Sequence, residues 1–409
     1  MNKFICRMVI QIFFVFMITL SSNAADYTLG IFGNANMDNT IDEKDVEYVQ
    51  SIIDGKGDRT ELADANNDSK IDEGDITQIE SIIAGNEKTL TFKDDLNNSV
   101  TIKKPIERIA LLQRLAGCQV MQLLNLEDKV VCVPQYVSDN KEIFPKLSQV
   151  RSYGDLWSPD WEVITDSTPD TVFTYVYVDK GVYKESVIKD QTAKVAGTQI
   201  VALCVMYCDR LPENMMKLGY IFNRKAEAQK FIDWYDGVNN MFKSKTQGLS
   251  ADQKTLFWFS HGLQGVTLRP WDDLVGGKNI GTTEAQYDTE WIVEQDPKVI
   301  MVESSPQSGG YGYTTDDSSG YKAVLDEVKS RPGFSGISAV KEGRTYVLDM
   351  DSNLGGPAEF VEIAYIAKML HPDLFKDMDP RTIHQEYLKL LGVDFNVFEH
   401  GIFAYPLPE

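Results

Sequence analysis

Two twelve-residue stretches, thirty positions apart, constrain this chain more than anything else in it. Asn34, Asn36, Asp38, Thr40, Asp42 and Asp45 recur in register as Asp64, Asn66, Asp68, Lys70, Asp72 and Asp75. Side-chain oxygens fall at loop positions 1, 3, 5, 9 and 12, while Thr40 and Lys70 at position 7 offer backbone carbonyls. That oxygen-rich cage suits a hard divalent cation such as Ca²⁺. The spacing predicts two structural calcium sites ligated by those residues. Ile41 and Ile71, both at position 8, are placed to pair the two loops.

The residues after each loop repeat as well. Val46, Val49, Ile52 and Ile53 recur as Ile76, Ile79, Ile82 and Ile83, an apolar stripe at helical spacing, and Gly55 and Gly85 stand where a helix would stop. Each unit is therefore an EF-hand-type loop followed by a helix, with no similar helix ahead of the loop. Over residues 28–86 this resembles dockerin modules, whose duplicated loop–helix segments bind cohesin domains, and the resemblance implies a cohesin-like partner. Asp rather than Glu at position 12 matches that pattern, while Asn34 in place of Asp leaves the first loop less negative. Residues 31–86 hold 14 acidic and 4 basic side chains. So short and so charged a segment leans on metal to fold, and chelation is expected to melt it while leaving the remainder folded.

Lys3 and Arg7 precede an apolar run from Met8 to Leu20, and Ser22-Asn23-Ala24 supplies small residues at cleavage spacing. The run is shorter than a membrane span, so residues 1–24 read as a signal peptide. Cys6 precedes the run and cannot become a lipidated N-terminal cysteine after cleavage. The expectation is a secreted, cell-surface-associated protein. Cys118, Cys132, Cys204 and Cys208 remain, and their spacing leaves buried thiols, a disulfide or three possible pairings open. A formal charge of −21 excludes nucleic acid as a partner.

From Leu90 the pattern changes to short apolar runs alternating with helical stretches. Thr89–Phe92 and Val100–Ile102 flank a polar turn as a hairpin; strand candidates follow at Arg108–Leu112, Lys129–Val133, Thr171–Tyr175 and Gln199–Val205. A helical region from Leu211 to Lys245 leads to further strands at Lys254–Phe259, Val299–Glu303 and Thr345–Asp349, and to closing helices. The expected fold is α/β: two α/β lobes bridged by one long helix, preceded by a small all-α calcium-binding dockerin-like module. Its divisions are the module at 28–86 and a second domain at 89–409, with lobe one at 89–210, the bridging helix at 211–245 and lobe two at 250–409.

Spread over residues 89–395 are Ser158-Pro159-Asp160-Trp161-Glu162 with Pro169-Asp170-Thr171-Val172, Gly276-Gly277-Lys278-Asn279-Ile280 with Thr289-Glu290, Asp296-Pro297-Lys298-Val299, and Ala339-Val340-Lys341 with Gly343 and Tyr346. These segments resemble the helical-backbone class of ABC-transporter solute-binding proteins, which carry iron-siderophores, haem and vitamin B12. The resemblance implies an ABC permease as partner, docked by Glu162 and Glu290. It also implies a metal chelate as cargo, with an iron-siderophore ahead of haem or cobalamin.

Ligands of two-lobed α/β proteins sit between lobes at strand C-terminal ends. Those positions supply Arg114, Tyr136, Trp157, Tyr175 and Tyr177 on lobe one, and His261, Arg269 and Trp271 on lobe two. Aromatic rings among guanidinium groups suit a bulky, flat, anionic chelate. Tyr175, Tyr177 and His261 offer a second reading, direct capture of bare iron. The loop from Ser304 to Gly320, with Tyr311 and Tyr313, is either a lid or an insertion. Dockerins also accompany polysaccharide-degrading enzymes, but no carboxylate pair, H-E-x-x-H or G-x-S-x-G stands out. An adhesion or scaffold protein is the remaining alternative.

Overall fold

The computed structural model describes residues 27–179, 182–185, 195, 197–206, 209–249, 255–259, 274–281, 286–303, 312–349 and 356–408. The predicted signal peptide, Cys208 and residues 304–311 of the Ser304–Gly320 loop lie outside them.

Both N-terminal repeats form the predicted loop and helix, α1 (Glu43–Ile53) and α2 (Glu73–Ala84). The same aspartates that recur in the loops start the helices. Asp42 and Asp72 are N-caps, and Asp45 and Asp75 at the third helical position return a bond to the cap backbone. Each reciprocal pair satisfies N–H groups that a helix start otherwise leaves open. Gly85 ends α2 in the left-handed region at φ 68°.

The hairpin follows as β1 (Thr89–Lys93) and β2 (Ser99–Lys103), with the Thr91 and Thr101 hydroxyls 2.8 Å apart across it. Here the structure departs from an independent all-α module. Ile31 forms a β-bridge with Phe92. Leu29, Ile31, Val49, Ile79 and Ile82 are buried in one continuous core with Leu90, Phe92 and Ile102, and with the helices that carry the lobes. The segment is too small to enclose its own apolar stripe and buries it against the rest of the chain.

Lobe one is built on β3 (Ile109–Leu112), which lies parallel between β4 (Val130–Cys132) and β5 (Thr171–Asp179); β7 (Gln199–Leu203) pairs with β5 in parallel. Every residue of β3 is buried, as expected of a parallel strand covered on both faces. The end of β5 continues into an antiparallel pair with β6 (Val182–Glu185), Val176 opposite Glu185. Three helices, α3 (Leu115–Leu123), α4 (Gln135–Asp139) and α5 (Trp161–Asp166), start in this lobe.

The single helix expected over 211–245 is two, α6 (Leu211–Ile221) and α7 (Lys225–Thr246). The break has local causes. Asn223 sits at φ 55°, which no α-helix continues through. Gly219 lets the second helix fold against the first: a Cβ there would stand 2.8 Å from that of Ala228. Only α7 spans to lobe two, where Phe242 and Phe360 stack at 6.1 Å.

Lobe two has the sheet order β12-β11-β10-β8-β9, parallel except for β12. Its strands are β8 (Thr255–Phe259), β9 (Lys278–Asn279), β10 (Val299–Glu303), β11 (Thr345–Leu348) and β12 (Ala404–Tyr405). Its helices are α8 (Thr289–Gln295), α9 (Ser319–Lys329), α10 (Ser338–Lys341), α11 (Glu359–Leu370) and α12 (Pro380–Leu391). The Ala339–Tyr346 segment, one of those that carry the solute-binding resemblance, is α10, a left-handed Gly343 and β11 rather than a hairpin. No helix among the described residues is long and apolar enough to cross a membrane.

Candidate functional site

The C-terminal edge of the lobe-one sheet gathers five of the residues singled out from sequence. Arg114 follows β3 as the exposed N-cap of α3. Tyr136, in the first turn of α4, donates its hydroxyl to the carbonyl of Gln113, and Cys118 Sγ lies 3.4 Å from that hydroxyl. Burial pushes the Tyr136 phenol well above its usual range, with the Arg114 charge acting against the rise. Tyr153 beneath them is buried and donates to the Leu111 carbonyl at 3.0 Å.

Trp157 is the outlier in exposure. More than half of it is open (55 %), although its ring meets Tyr175 edge-on at 6.1 Å. Asp155 holds the turn that presents it, accepting from the Trp157 and Ser158 backbone N–H groups at 2.9 and 3.0 Å. Trp157 is thus fixed through its backbone while its ring stays largely uncovered. Tyr175 and Tyr177 pack into the same cluster from β5. His261, Arg269 and Trp271, the lobe-two half of the expected site, lie outside the described residues. The Tyr175–Tyr177–His261 alternative falls partly outside them for the same reason.

One neighbour escaped the sequence reading. Tyr183 of β6 donates its hydroxyl to Asp209, and the Arg210 guanidinium lies 4.6 Å from the Tyr183 ring centre. This adds a second guanidinium near that edge. The signal was present: Asp179-Lys180-Gly181 separates two alternating stretches, Tyr175–Val178 and Val182–Lys184, as in a hairpin.

Glu162 and Glu290 occupy the same station on their respective lobes. Each is the exposed second residue of a short helix, α5 or α8, capped by an aspartate, Asp160 or Asp288. Asp160 accepts from the Glu162 N–H at 3.0 Å, and Asp288 from the Trp291 N–H at 2.7 Å. Each short helix then leads into a strand of its lobe's sheet, β5 or β10.

In the N-terminal loops the carboxylates fold inward on backbone donors. Asp45 accepts from Asn36 and Asp42 N–H at 3.1 and 2.8 Å, and Asp75 accepts from Asn66 and Asp72 at the same distances. Asp38 and Asp68 accept from the Thr40 and Lys70 N–H groups, and Asp64 from Asp68 and Ser69. Asp45 and Asp75 are fully buried, and neither is in an ion pair among the described residues. Desolvation, with neighbouring Asp38 and Asp42, raises Asp45 to about 6. The Asn34 amide is turned into its loop. Its Nδ2 donates to the Asp38 and Leu29 carbonyls at 2.7 and 2.8 Å, while its buried Oδ1 has no hydrogen-bond partner. Among the described residues no three His, Cys, Asp or Glu side chains converge as a metal-holding group. The loops instead mix amide, carbonyl and carboxylate oxygens.

Ile41 and Ile71, expected to pair the two loops through an apolar contact, lie in and against the same hydrophobic core. The Ile41 N–H is taken by the Tyr220 hydroxyl of α6, at 3.0 Å. Of the cysteines, Cys118, Cys132 and Cys204 are buried thiols outside any disulfide, and burial pushes Cys118 and Cys132 up to about 12.

Two α/β lobes joined by a helix, with aromatic and guanidinium groups at a strand-end edge, define a solute-binding architecture. The sequence profile of the Periplasmic binding protein family matches residues 114–352, and the chain belongs to that family. It is 24 % identical over 305 residues to an uncharacterized ABC transporter substrate-binding lipoprotein, YvrC, of Bacillus subtilis (strain 168), covering 70 % of this chain and 87 % of that one. Among solved structures it is similar to the TroA-like periplasmic binding protein FepB of Veillonella parvula. That match has a TM-score of 0.61 and 18 % identity, over 77 % of this chain and 98 % of that one. It is also similar to CeuE of Helicobacter pylori in a nickel–histidine complex, with a TM-score of 0.55 and 19 % identity over 76 % and 98 %. At these identities the solved structures establish the fold. The family match begins after the two loop–helix units.

Proposed function

We propose that this chain is the substrate-binding component of an ABC importer, exported to the cell surface, where it captures a metal chelate and hands it to a permease. An iron-siderophore is the preferred cargo, with haem and cobalamin the related alternatives. The observation that carries this reading is Trp157, held by Asp155 and left open with its ring edge-on to Tyr175, which shares a cluster with Tyr136. Rings supply contact area to a flat ligand, and guanidinium groups supply charge-assisted bonds to its anionic oxygens. FepB and CeuE support the fold of such a carrier, and the Bacillus relative supports the transporter class. Glu162 and Glu290, matched in station on the two lobes, are the carboxylates a permease would engage.

The N-terminal units fit calcium. Asn34 Oδ1 is an orphaned buried acceptor at loop position 1, and Asp45 and Asp75 are buried carboxylates outside any described ion pair. Asn34, Asn36, Asp38, Thr40, Asp42 and Asp45 would hold one ion, and Asp64, Asn66, Asp68, Lys70, Asp72 and Asp75 a second. Bound calcium would supply fixed positive charge against this acidic cluster. A cohesin-type partner would meet the outer helix faces, where Glu43, Glu47 and Gln50 of α1 match Glu73, Thr77 and Glu80 of α2, all exposed.

Tryptophan fluorescence of the full chain, titrated with ferric siderophores, haem and cobalamin, tests the transport reading. Saturable quenching by one class, weakened about tenfold or more in Trp157→Ala, is expected. No binding of any of the three refutes a metal-chelate cargo.

A further inference from the structure

The first calcium loop differs from the second in what it touches. Its apex is pressed against the turn between α6 and α7, at the root of the helix that joins the lobes. Tyr220, next to last in α6, receives the Ile41 N–H on its hydroxyl at 3.0 Å, and the same hydroxyl lies 3.5 Å from the Ile41 carbonyl. The Tyr220 backbone carbonyl accepts from Lys104 Nζ, which also bonds Glu87 and the Asn223 side chain. Asn223 and Lys225 reach back to the Gly85 and Ile83 carbonyls, both at 3.3 Å. Lys225 Nζ also stands 4.9 Å from the Tyr220 ring centre. Glu213, earlier in α6, accepts from the Gly30 N–H at 3.3 Å.

Loop position 7 offers its carbonyl to a cation, and in the first loop that carbonyl belongs to Thr40. The Thr40 carbonyl and the Ile41 N–H are opposite ends of one planar trans peptide, so whatever fixes the oxygen also fixes the hydrogen. A cation drawing on the oxygen also polarises the N–H and strengthens the bond it donates. Asn34 Oδ1 supplies a separate pointer to a ligand in this loop, being buried and unpartnered. In a paired-loop module position 8 would face its counterpart; in this chain Tyr220 takes that bond.

We propose that calcium in the first loop is read by the α6–α7 elbow through the Thr40–Ile41 peptide and the Tyr220 hydroxyl, so that the cation clamps the N-terminal units onto the root of the interlobe helix. This rests on the reading of the N-terminal loops as calcium sites. The module is then a calcium-dependent brace of the binding protein, and the ion bears on the helix about which the lobes are set. Cation binding and elbow order are linked quantities, each favouring the other.

Hydrogen exchange of the full chain, followed at backbone amides 216–230 across a calcium titration, tests this beside calorimetric measurement of calcium binding. Elbow exchange is expected to slow by about fivefold, the equivalent of roughly one net hydrogen bond, with the same midpoint as the first-loop binding event. Tyr220→Phe should keep calcium binding and lose most of that slowing. Asn34→Asp, which adds charge at position 1, should shift both midpoints together to lower calcium. No calcium binding at all overturns both this proposal and the calcium reading. Calcium binding with an elbow that does not respond, or that responds equally in Tyr220→Phe, overturns the coupling alone. Midpoints that separate in Asn34→Asp do so as well.

Discussion

His384 shows how far a single side chain can be committed to the fold. It is fully buried in α12, its Nε2 meets the Tyr313 hydroxyl at 2.5 Å, and the Phe403 ring centre lies 4.4 Å from its own. Desolvation pushes its pKa down to about 3, so it stays neutral when folded. Unfolded, it takes up a proton near pH 6.5. A group depressed in the folded state contributes stability that is whole above its unfolded pKa and is lost as pH falls toward the folded value. Between about pH 6.5 and 3 this residue alone should therefore cost about 1.4 kcal/mol per pH unit. Urea unfolding at pH 7 and pH 5 checks it, and His384→Phe should flatten the slope. Trp157→Ala is the opposite case. Little burial is lost, so the unfolding free energy should change by less than about 1 kcal/mol while ligand affinity falls.

At the scale of elements, the α6–α7 elbow depends on a close approach. Gly219→Val should destabilise by about 1–3 kcal/mol, because the added atoms collide with Ala228 and the Arg224 carbonyl. A chemical denaturation series reads this directly. The elbow also marks where sequence stops being informative. Apolar positions at Met215, Leu218, Ala228 and Phe231 keep a helical period straight across it, so a pattern reading joins two helices into one. Asn223 was the visible warning, since asparagine tolerates the left-handed region. The core strands were legible because buried parallel strands are written as unbroken apolar runs: β10 falls at its predicted limits and β3 begins one residue late. Asp42 and Asp72 were read from the sequence as loop ligands, and their capping of α1 and α2 came only with the structure. Packing between distant segments was not. Nothing local to Ile41 announces Tyr220, 179 residues away.

At the scale of the molecule, the N-terminal units and the lobes share one core and one buried ion pair. Lys104 and Glu87 are each about 1 % exposed at their side chains. Breaking such a pair strands a charge, so Lys104→Met should cost about 3–5 kcal/mol. The loss should appear as earlier unfolding of the whole chain rather than of residues 28–86 alone. Scanning calorimetry separates these outcomes: one shifted transition is expected, and an early minor transition beside an unmoved main one would refute it. The same experiment with chelator now carries a different expectation from the one the sequence suggested. Removing calcium should lower a shared transition, because the apolar stripe of α1 and α2 has no core of its own to leave behind.

The matched stations of Glu162 and Glu290 have a geometric consequence for motion. Each carboxylate rides on a rigid capped turn that feeds a strand of its own sheet. A hinge rotation that moves one lobe toward or away from the other at these points is therefore read as a single scalar, the span between two surface points. Cysteines placed at those positions and spin-labelled would turn the pair into a gauge, reporting the angle between the lobes without any probe in the cleft.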